Sequence, residues 1–511
     1  MRHRNDAMRT FAIAASAAIF SLAVMPVSVR AQHVPLAELL PRLVLSDITL
    51  QSPPAPPGTP GLPEGFTHVA HFSPLEGNDL NNPVIGIVQG FNGQIATQFA
   101  TFPLGTSTGG LTYVFDESVG TFRRGSTSFG PMFGERALTI GRRKLSAGLN
   151  YQHTSYNRFE GQNLENGSIK FYLRHSDCCT VVLSPDPPGF ILTGQPNGTR
   201  LNTPFEGDLV EAALSLKATT DTTAVLADYG LTDRWDVGVA VPFVRVRVDA
   251  NVRARVLRLV TFTNPTVHAF DPSNPDAPRL VRRTGTATGI GDVVLRTKYR
   301  FLRTEGGGLA AALDLRTPTG NKDELLGAGG VQAKFLLIAS NEHGRFGEHA
   351  NVGYTTAQGR VGGSFAGLVA APLPDEINYS GGVEFVATPR LTLIGDFVGR
   401  TLRGSGRLDL VSKNFEYASF PGVPPPPISS YGGAPGPACS NERGIPGNTC
   451  ATISLKEFAP RSGNLTLPEG TAGAKYNLTR NLLISGSVLF PLSNTGLRNR
   501  ITTAIGVDYA F

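Results

Sequence analysis

A chain of 511 residues with 41% hydrophobic and 17% charged residues is too apolar and too poor in charge to be disordered, and its 59 glycines suit many short strands joined by turns. The net charge of +6 is small, and Arg2, Arg4, Arg9 and Arg30 against Asp6 place half of it in the first 31 residues. No basic run suited to a phosphate backbone is present, which argues against nucleic acid as a partner.

The N-terminus has the order of a secretory leader. A basic start, Met1 to Arg9, precedes the apolar run Phe11 to Val24, and Val29 and Ala31 then fit a small-x-small cleavage site. A signal peptide over 1–31 is therefore expected, cleaved after Ala31. No later run of 18 apolar residues exists, so no helical membrane anchor is expected. Residues 32–110 contain the Pro-rich run Pro53 to Pro63 and the polar stretch Glu76 to Asn82, and read as an irregular extension or plug. His68 and His71, in the same segment, read as solvated.

From 111 to 511 the pattern becomes strand, turn, strand, with apolar residues at every second position. Trp235, Val237, Val239 and Val241 share one face, with Pro242 expected to mark a bulge or register shift. Leu295, Tyr299 and Phe301 oppose Arg296, Lys298 and Arg300, and Leu309, Leu313 and Leu315 oppose Asp314 and Arg316. The chain ends on Ile505, Val507, Tyr509 and Phe511, an apolar row up to the last residue. Such a row suits a lipid-facing strand read by the barrel-assembly machinery. In lipid only a closed sheet satisfies every backbone N–H and C=O, so the prediction is all-β: a transmembrane antiparallel β-barrel. Short turns at Leu231–Arg234, Arg303–Gly307, Asn341–Arg345, Thr388–Arg390 and Leu478–Asn481 fall on the side of the C-terminus, the expected periplasmic side. Long connections, Asn251–Gly289, Pro318–Gly329, Gln358–Asp375 and Gly404–Glu469, fall on the other. Eleven strands are expected from Leu209 onward, with Ala137–Ile140, Leu145–Thr154 and Ser168–Leu173 as upstream candidates. The total is estimated at about fourteen, within a range of 12–16.

Arg296, Lys298, Arg300, Arg316 and Lys334 fall on faces assigned to the lumen. They fit either a basic wall that favours anionic solutes or a ladder of interior salt bridges that holds the barrel closed. Four cysteines allow three pairings in an oxidising compartment, and Cys439–Cys450, closing a short Gly- and Pro-rich loop, is the favoured one over any bond to Cys178 or Cys179. Gly362-Gly-Ser-Phe-Ala366 breaks the nucleophile-elbow pattern at its last position. Asp271, Asn274 and Asp276 lack the calcium-loop spacing and read as loop polarity. No catalytic set, metal site or cofactor is expected.

Three stretches carry a family resemblance: Asp228-Tyr-Gly-Leu-Thr-Asp-Arg-Trp-Asp-Val-Gly-Val-Ala-Val-Pro242, Gly289-Ile-Gly-Asp-Val-Val-Leu-Arg-Thr-Lys-Tyr-Arg-Phe301, and Leu315-Arg-Thr-Pro-Thr-Gly320 with Leu326-Gly-Ala-Gly-Gly330. Together they resemble the meta-pathway phenol-degradation family of bacterial outer-membrane, transporter-like barrels, over roughly Leu209 to Phe511. The resemblance implies an outer-membrane channel for passive uptake of small hydrophobic or aromatic compounds in a Gram-negative bacterium. The implied partners are outer-membrane lipid and the solutes themselves. The alternatives are a structural or adhesive barrel acting through its long loops and, less favoured, a membrane-embedded hydrolase.

Overall fold

The computed structural model describes residues 33–51, 72, 83–101, 103, 105, 110–116, 121–174, 181–185, 188–192, 207–261, 265–366, 368–419, 422–439 and 449–511. The expected leader, Cys178 with Cys179, and His68 with His71 lie outside these residues.

Two helices come first, α1 (Leu36–Leu45) and α2 (Pro83–Ala100), then a small hairpin of β1 (Tyr113–Asp116) and β2 (Thr121–Arg124). The wall begins at β3 (Leu145–Phe159). It is followed by β4 (Ile169–Arg174), β5 (Leu209–Gly230), β6 (Trp235–Leu257), β7 (Arg279–Ile290), β8 (Val294–Thr304) and β9 (Gly307–Arg316). Next come β10 (Gly330–His343), β11 (Phe346–Val361), β12 (Glu376–Thr388), β13 (Leu391–Leu402), β14 (Arg407–Ser419), β15 (Thr449–Arg461), β16 (Leu465–Thr479), β17 (Leu482–Pro491) and β18 (Leu497–Ala510).

Antiparallel pairing runs from β3 through β5, β6, β8 to β13 and β16 to β18, and the last strand returns to the first, with Val507 opposite Leu149. The result is a closed ring of twelve strands, within the expected range and two fewer than the central estimate. The difference has local causes. Ala137–Ile140 forms no strand, and β4 pairs with Leu209–Leu214 of β5, beyond the ring, rather than joining it.

Two of the expected long loops are largely strand. The hairpin of β5 and β6 is 22 and 23 residues long, twice what a bilayer needs, and β7 pairs with its outer part. Alternation from Val244 to Val256 is what extends it, with valines and alanines facing the interior and arginines, Asp249 and Asn251 facing out. Between Gly404 and Glu469, β14 and β15 pair along their full length. Pairing on β6 changes partner from β8 to β7 around Pro242, which offers no N–H to the ladder.

The wall alternates as a lipid-immersed sheet must. Leu149, Leu295, Phe335, Val352, Leu393 and Ile505 are exposed on the outside, while their sequence neighbours point inward. Trp235, Tyr229, Tyr299, Phe346, Tyr509 and Phe511 gather at the short-turn end, as an interfacial girdle does. No helix among the described residues is long and apolar enough to cross a membrane.

The segment expected to be irregular contains both helices, and they fill the long-loop end of the barrel. Leu36, Leu39, Leu43, Val84, Ile87, Phe91 and Ile95 join Val246, Val248, Val252, Leu214, Phe171 and Phe458 in one apolar cluster. Glycines let the wall close on α2: a Cβ at Gly93 would stand 2.8 Å from the Ala371 Cβ, and one at Gly90 would stand 3.3 Å from Leu408 Cδ2. Cys439 and Cys450 form a disulfide in the connection between β14 and β15.

Candidate functional site

The lumen is closed at the short-turn end by residues 126–141, a stretch within the expected strand–turn region 111–511. This stretch, Ser-Thr-Ser-Phe-Gly-Pro-Met-Phe-Gly-Glu-Arg-Ala-Leu-Thr-Ile-Gly, has no strand or helix period, and its backbone polar groups need partners once buried. Inward-facing wall residues supply them. The Met132 and Phe133 N–H groups donate to Asp396 Oδ2 at 2.8 and 3.2 Å, and the Phe129 N–H donates to Thr392 Oγ1 at 3.2 Å. The Ile140 N–H donates to Asp236 Oδ2 at 3.0 Å, while Lys475 Nζ donates to the Pro131 carbonyl at 2.7 Å. Gly134 passes so close to His349 that an added Cβ would stand 2.4 Å from its Nε2. The inward polar row visible in the sequence is thus in good part a socket for a plug. What could have revealed the plug is the number of inward polar side chains, such as Glu384 and Asp396, which hold plug groups as well as wall groups.

Two of the five predicted lumen cations meet this plug, and a third is held by the short turn beside it. Arg296 bridges Asp314 of the wall and Glu135 of the plug. Lys298, 1% exposed, lies 3.7 Å from Glu135 and 4.0 Å from Asp236 and donates to the Arg136 carbonyl. Arg300 is buried nearby and donates to the Asp233 carbonyl at 2.9 Å.

Between plug and helices lies a cavity of about 170 Å³. Its roof is the end of α2, where Gln98 and Thr101 face it, and its floor is Phe133 and Glu135. Arg316 and Lys334, the other two predicted cations, line it together with Arg296, Arg400 and Arg498. Glu135, Asp228, Asp314, Glu376 and Glu469 line it too, so acids match bases in number. Most are engaged: Arg400 lies 3.7 Å from Glu376, Arg498 lies 3.8 Å from Glu469, and Arg316 donates to the Ala100 carbonyl at 2.6 Å. Two are not. Lys334 stands across the ladder from Asp314, which is already held by Arg296, and its ammonium has no hydrogen bond or ion pair among the described residues. Asp228 Oδ2 is buried without a hydrogen-bond donor among them. Tyr156, Leu226, Val294, Leu336, Leu467 and Leu497 supply apolar surface between these charges.

The predicted assembly residues sit on the seam. Ile505 and Val507 are exposed on the outer wall, the Tyr509 and Phe511 rings meet at 4.6 Å, and the Phe511 N–H donates to the Leu145 carbonyl at 2.8 Å. In the outer loop Asp271 accepts from the Ser273 N–H and Asp276 lies 3.2 Å from Arg258. No group of three or more metal-binding side chains occurs among the described residues.

Comparison with known proteins gives distant likenesses to solved structures. The chain is similar to an outer-membrane channel from Pseudomonas putida F1, at 11% identity over 73% of this chain and 98% of that one, with a TM-score of 0.39. It is similar to the P. putida toluene transporter TodX at 11% identity, covering 72% and 89%, with a TM-score of 0.29. For the Ralstonia pickettii toluene transporter TbuX the figures are 10%, 74%, 91% and 0.25. No curated protein matches the sequence. The stretches Asp228–Pro242, Gly289–Phe301 and Leu315–Gly330 all fall inside a longer match, and over residues 193–360 the chain matches the family described as Putative MetA-pathway of phenol degradation.

Proposed function

We propose that this chain is an outer-membrane channel for passive entry of small hydrophobic or aromatic compounds, with single-ring molecules carrying a hydroxyl or carboxylate as the best fit. The observation that carries the reading is the mid-lumen cavity. At about 170 Å³ it is comparable to the cavity of about 150 Å³ that holds benzene in an engineered core. Its walls are part apolar and part charged, so a ring can pack on Leu226, Val294 and Leu336. Its polar group then reaches Lys334 or Asp228, the two charged side chains of the lining without partners among the described residues. The family matched over 193–360 points to phenols as a solute class.

Entry and exit on this reading need the helices and the plug to yield, because apolar packing closes one end and hydrogen bonds close the other. That double closure is also what favours the alternative of a structural barrel. The deciding measurement is uptake into liposomes containing the purified protein, with phenol and benzoate compared against a sugar. Faster entry of the aromatic compounds supports the channel. Absence of flux for all three, including after the plug is loosened by Asn351→Ala, removes it and leaves the structural barrel.

A further inference from the structure

The outer face of the β5–β6–β7 hairpin carries positive charge in rows. The inward valines and alanines of β6, from Val246 to Val256, pack on the helices. Strand alternation therefore sends Arg245, Arg247, Arg253 and Arg255 outward, beside Lys217 on β5, Arg282 on β7 and Lys170 on β4. These seven cations share the face with only three carboxylates, Glu211, Asp221 and Asp249. Glu211 takes Arg255 and Lys170, Asp221 lies 3.4 Å from Arg247, and Asp249 is held by Arg282. Lys217, Arg245 and Arg253 are exposed and have no hydrogen bond or ion pair among the described residues. Arg245 and Arg247 stand two positions apart on one face, about 7 Å, and Lys217 is diagonal to Arg247 at about 7–8 Å. Asp221 stands opposite Arg245 as well as beside Arg247, and Asp249 stands opposite Lys217 as well as holding Arg282, so two carboxylates serve four cations and this part of the face stays net positive.

Height places this charge. The girdle residue Trp235 marks the short-turn edge of the apolar band, and β6 presents Val237, Val239, Val241 and Phe243 outward before Arg245. Ten residues of strand at about 3.3 Å each, inclined at about 40°, rise about 25 Å, which is the height of the apolar band of an outer-membrane barrel. Arg245, Arg247 and Lys217 thus stand at the level of the headgroups of the outer leaflet, directly above hydrocarbon.

We propose that the outward face of Lys217, Arg245 and Arg247 binds the phosphorylated headgroup of the outer-leaflet glycolipid, whose acyl chains lie on the apolar rows below. This rests on the barrel crossing the outer membrane with its long loops outward. It concerns the wall's outside and not the lumen. A lipid fits better than a free anion because the cations end where the lipid-facing band ends. Each basic residue near a charged membrane surface contributes about fivefold to binding.

The test uses the full-length protein in detergent, with lipid A carrying two phosphates as the probe. The same lipid stripped of its phosphates and inorganic phosphate are the comparison ligands. Wild-type protein is expected to retain the phosphorylated lipid through purification, to lose it at high salt, and to bind the stripped lipid far more weakly. A triple variant, Lys217→Gln, Arg245→Gln and Arg247→Gln, is expected to bind it about a hundredfold more weakly. A control, Arg360→Gln with Arg403→Gln on another sector, is expected to bind as wild type. Equal binding by triple variant and wild type, indifference to the lipid's phosphates, or full displacement by millimolar inorganic phosphate would each overturn the proposal. If the triple variant does not fold, the single exposed change Lys217→Gln carries the same comparison at about fivefold. Insertion of wild-type protein into glycolipid-free vesicles, read by heat-dependent gel mobility, reports separately on the membrane barrel.

Discussion

Asn351 and Glu135 clasp each other across the plug and the wall: the Glu135 N–H donates to Asn351 Oδ1 at 2.8 Å, and Asn351 Nδ2 returns a bond to the Glu135 carbonyl at 3.0 Å. A wall side chain here completes a stretch of backbone as a neighbouring strand would. Asn351→Ala leaves both backbone groups buried and unpaired, at a cost of about 1–3 kcal/mol each. The cost falls on the docked plug rather than on the ring, so single-channel conductance and small-solute flux are expected to rise while the midpoint of barrel unfolding changes little. Unchanged conductance would mean that the plug is not the barrier.

The cavity's charge balance makes Lys334 the side chain to change. Lys334→Gln removes the cation without a partner and leaves the paired ones in place. Uptake of benzoate is expected to fall tenfold or more, with phenol nearly unaffected, on the scale of the about 1.5–3 kcal/mol carried by one charged hydrogen bond. Equal effects on both solutes would place recognition elsewhere in the lumen. Lys298, which the sequence also assigns to the lumen, is held by the plug, and its substitution should disturb closure instead.

Facing can be tested on the wall itself. Leu393 is 45% exposed on the outside, and Ser380 lines the cavity. Leu393→Arg should destabilise the barrel in reversible unfolding from lipid, by less than the about 2–4 kcal/mol of a midplane site because Leu393 lies near the short-turn end of β13. Ser380→Arg should cost less. The reverse order would contradict the register of β12 and β13.

Asp208, at the loop end of β5, predicts a pH response. Burial works against its charge. The His268 hydrogen bond and charge, with those from Thr261 and the Val260 N–H, nonetheless hold its carboxyl below the usual range. The Leu259 and Val260 N–H groups donate to it at 2.8 Å each. A carboxylate whose acidity is raised by folding stabilises the fold above its ordinary value of about 4, and that contribution is lost as pH falls through the lowered value. Amide exchange at Leu259, Val260 and Thr261 should therefore stay slow from pH 7 to 5, after correction for intrinsic rates, and accelerate well below pH 4. In Asp208→Ala it should be fast throughout.

Replacing Phe511 by Asp puts a charge where the ring now packs on Tyr509. The amount of folded, heat-modifiable protein in outer-membrane fractions is expected to drop severalfold. An unchanged yield would count against a role for the terminal row in assembly.

The wall was legible in sequence because a lipid-facing strand must alternate: Leu295 against Arg296 and Leu393 against Thr392 carry that rule in single residues. Short turns also identified their end of the barrel without ambiguity. The helices were not legible. α1 contains Pro41, and α2 contains Gly86, Gly90 and Gly93 and is buried on nearly every side, so it shows no apolar stripe. The plug escaped for a related reason, since residues 126–141 take their hydrogen bonds from the wall and need no periodicity of their own. In the candidate site, sequence located the cations but not their partners. Glu135, the acid that neutralises Arg296 and Lys298, lies about 160 positions away along the chain.

The seam between β3 and β18 gives assembly a direction. These are the first and last strands of the wall, and no ring exists until the final residues have been made and delivered. Until then the sheet is an open trough, and the segment ahead of Leu145, the earliest to arrive, can reach the inner surface from the side. Closing the seam then converts a laid-in cargo into an enclosed one. Cutting the covalent link between plug and wall after closure should leave the plug in place, held only by the contacts of the finished interior.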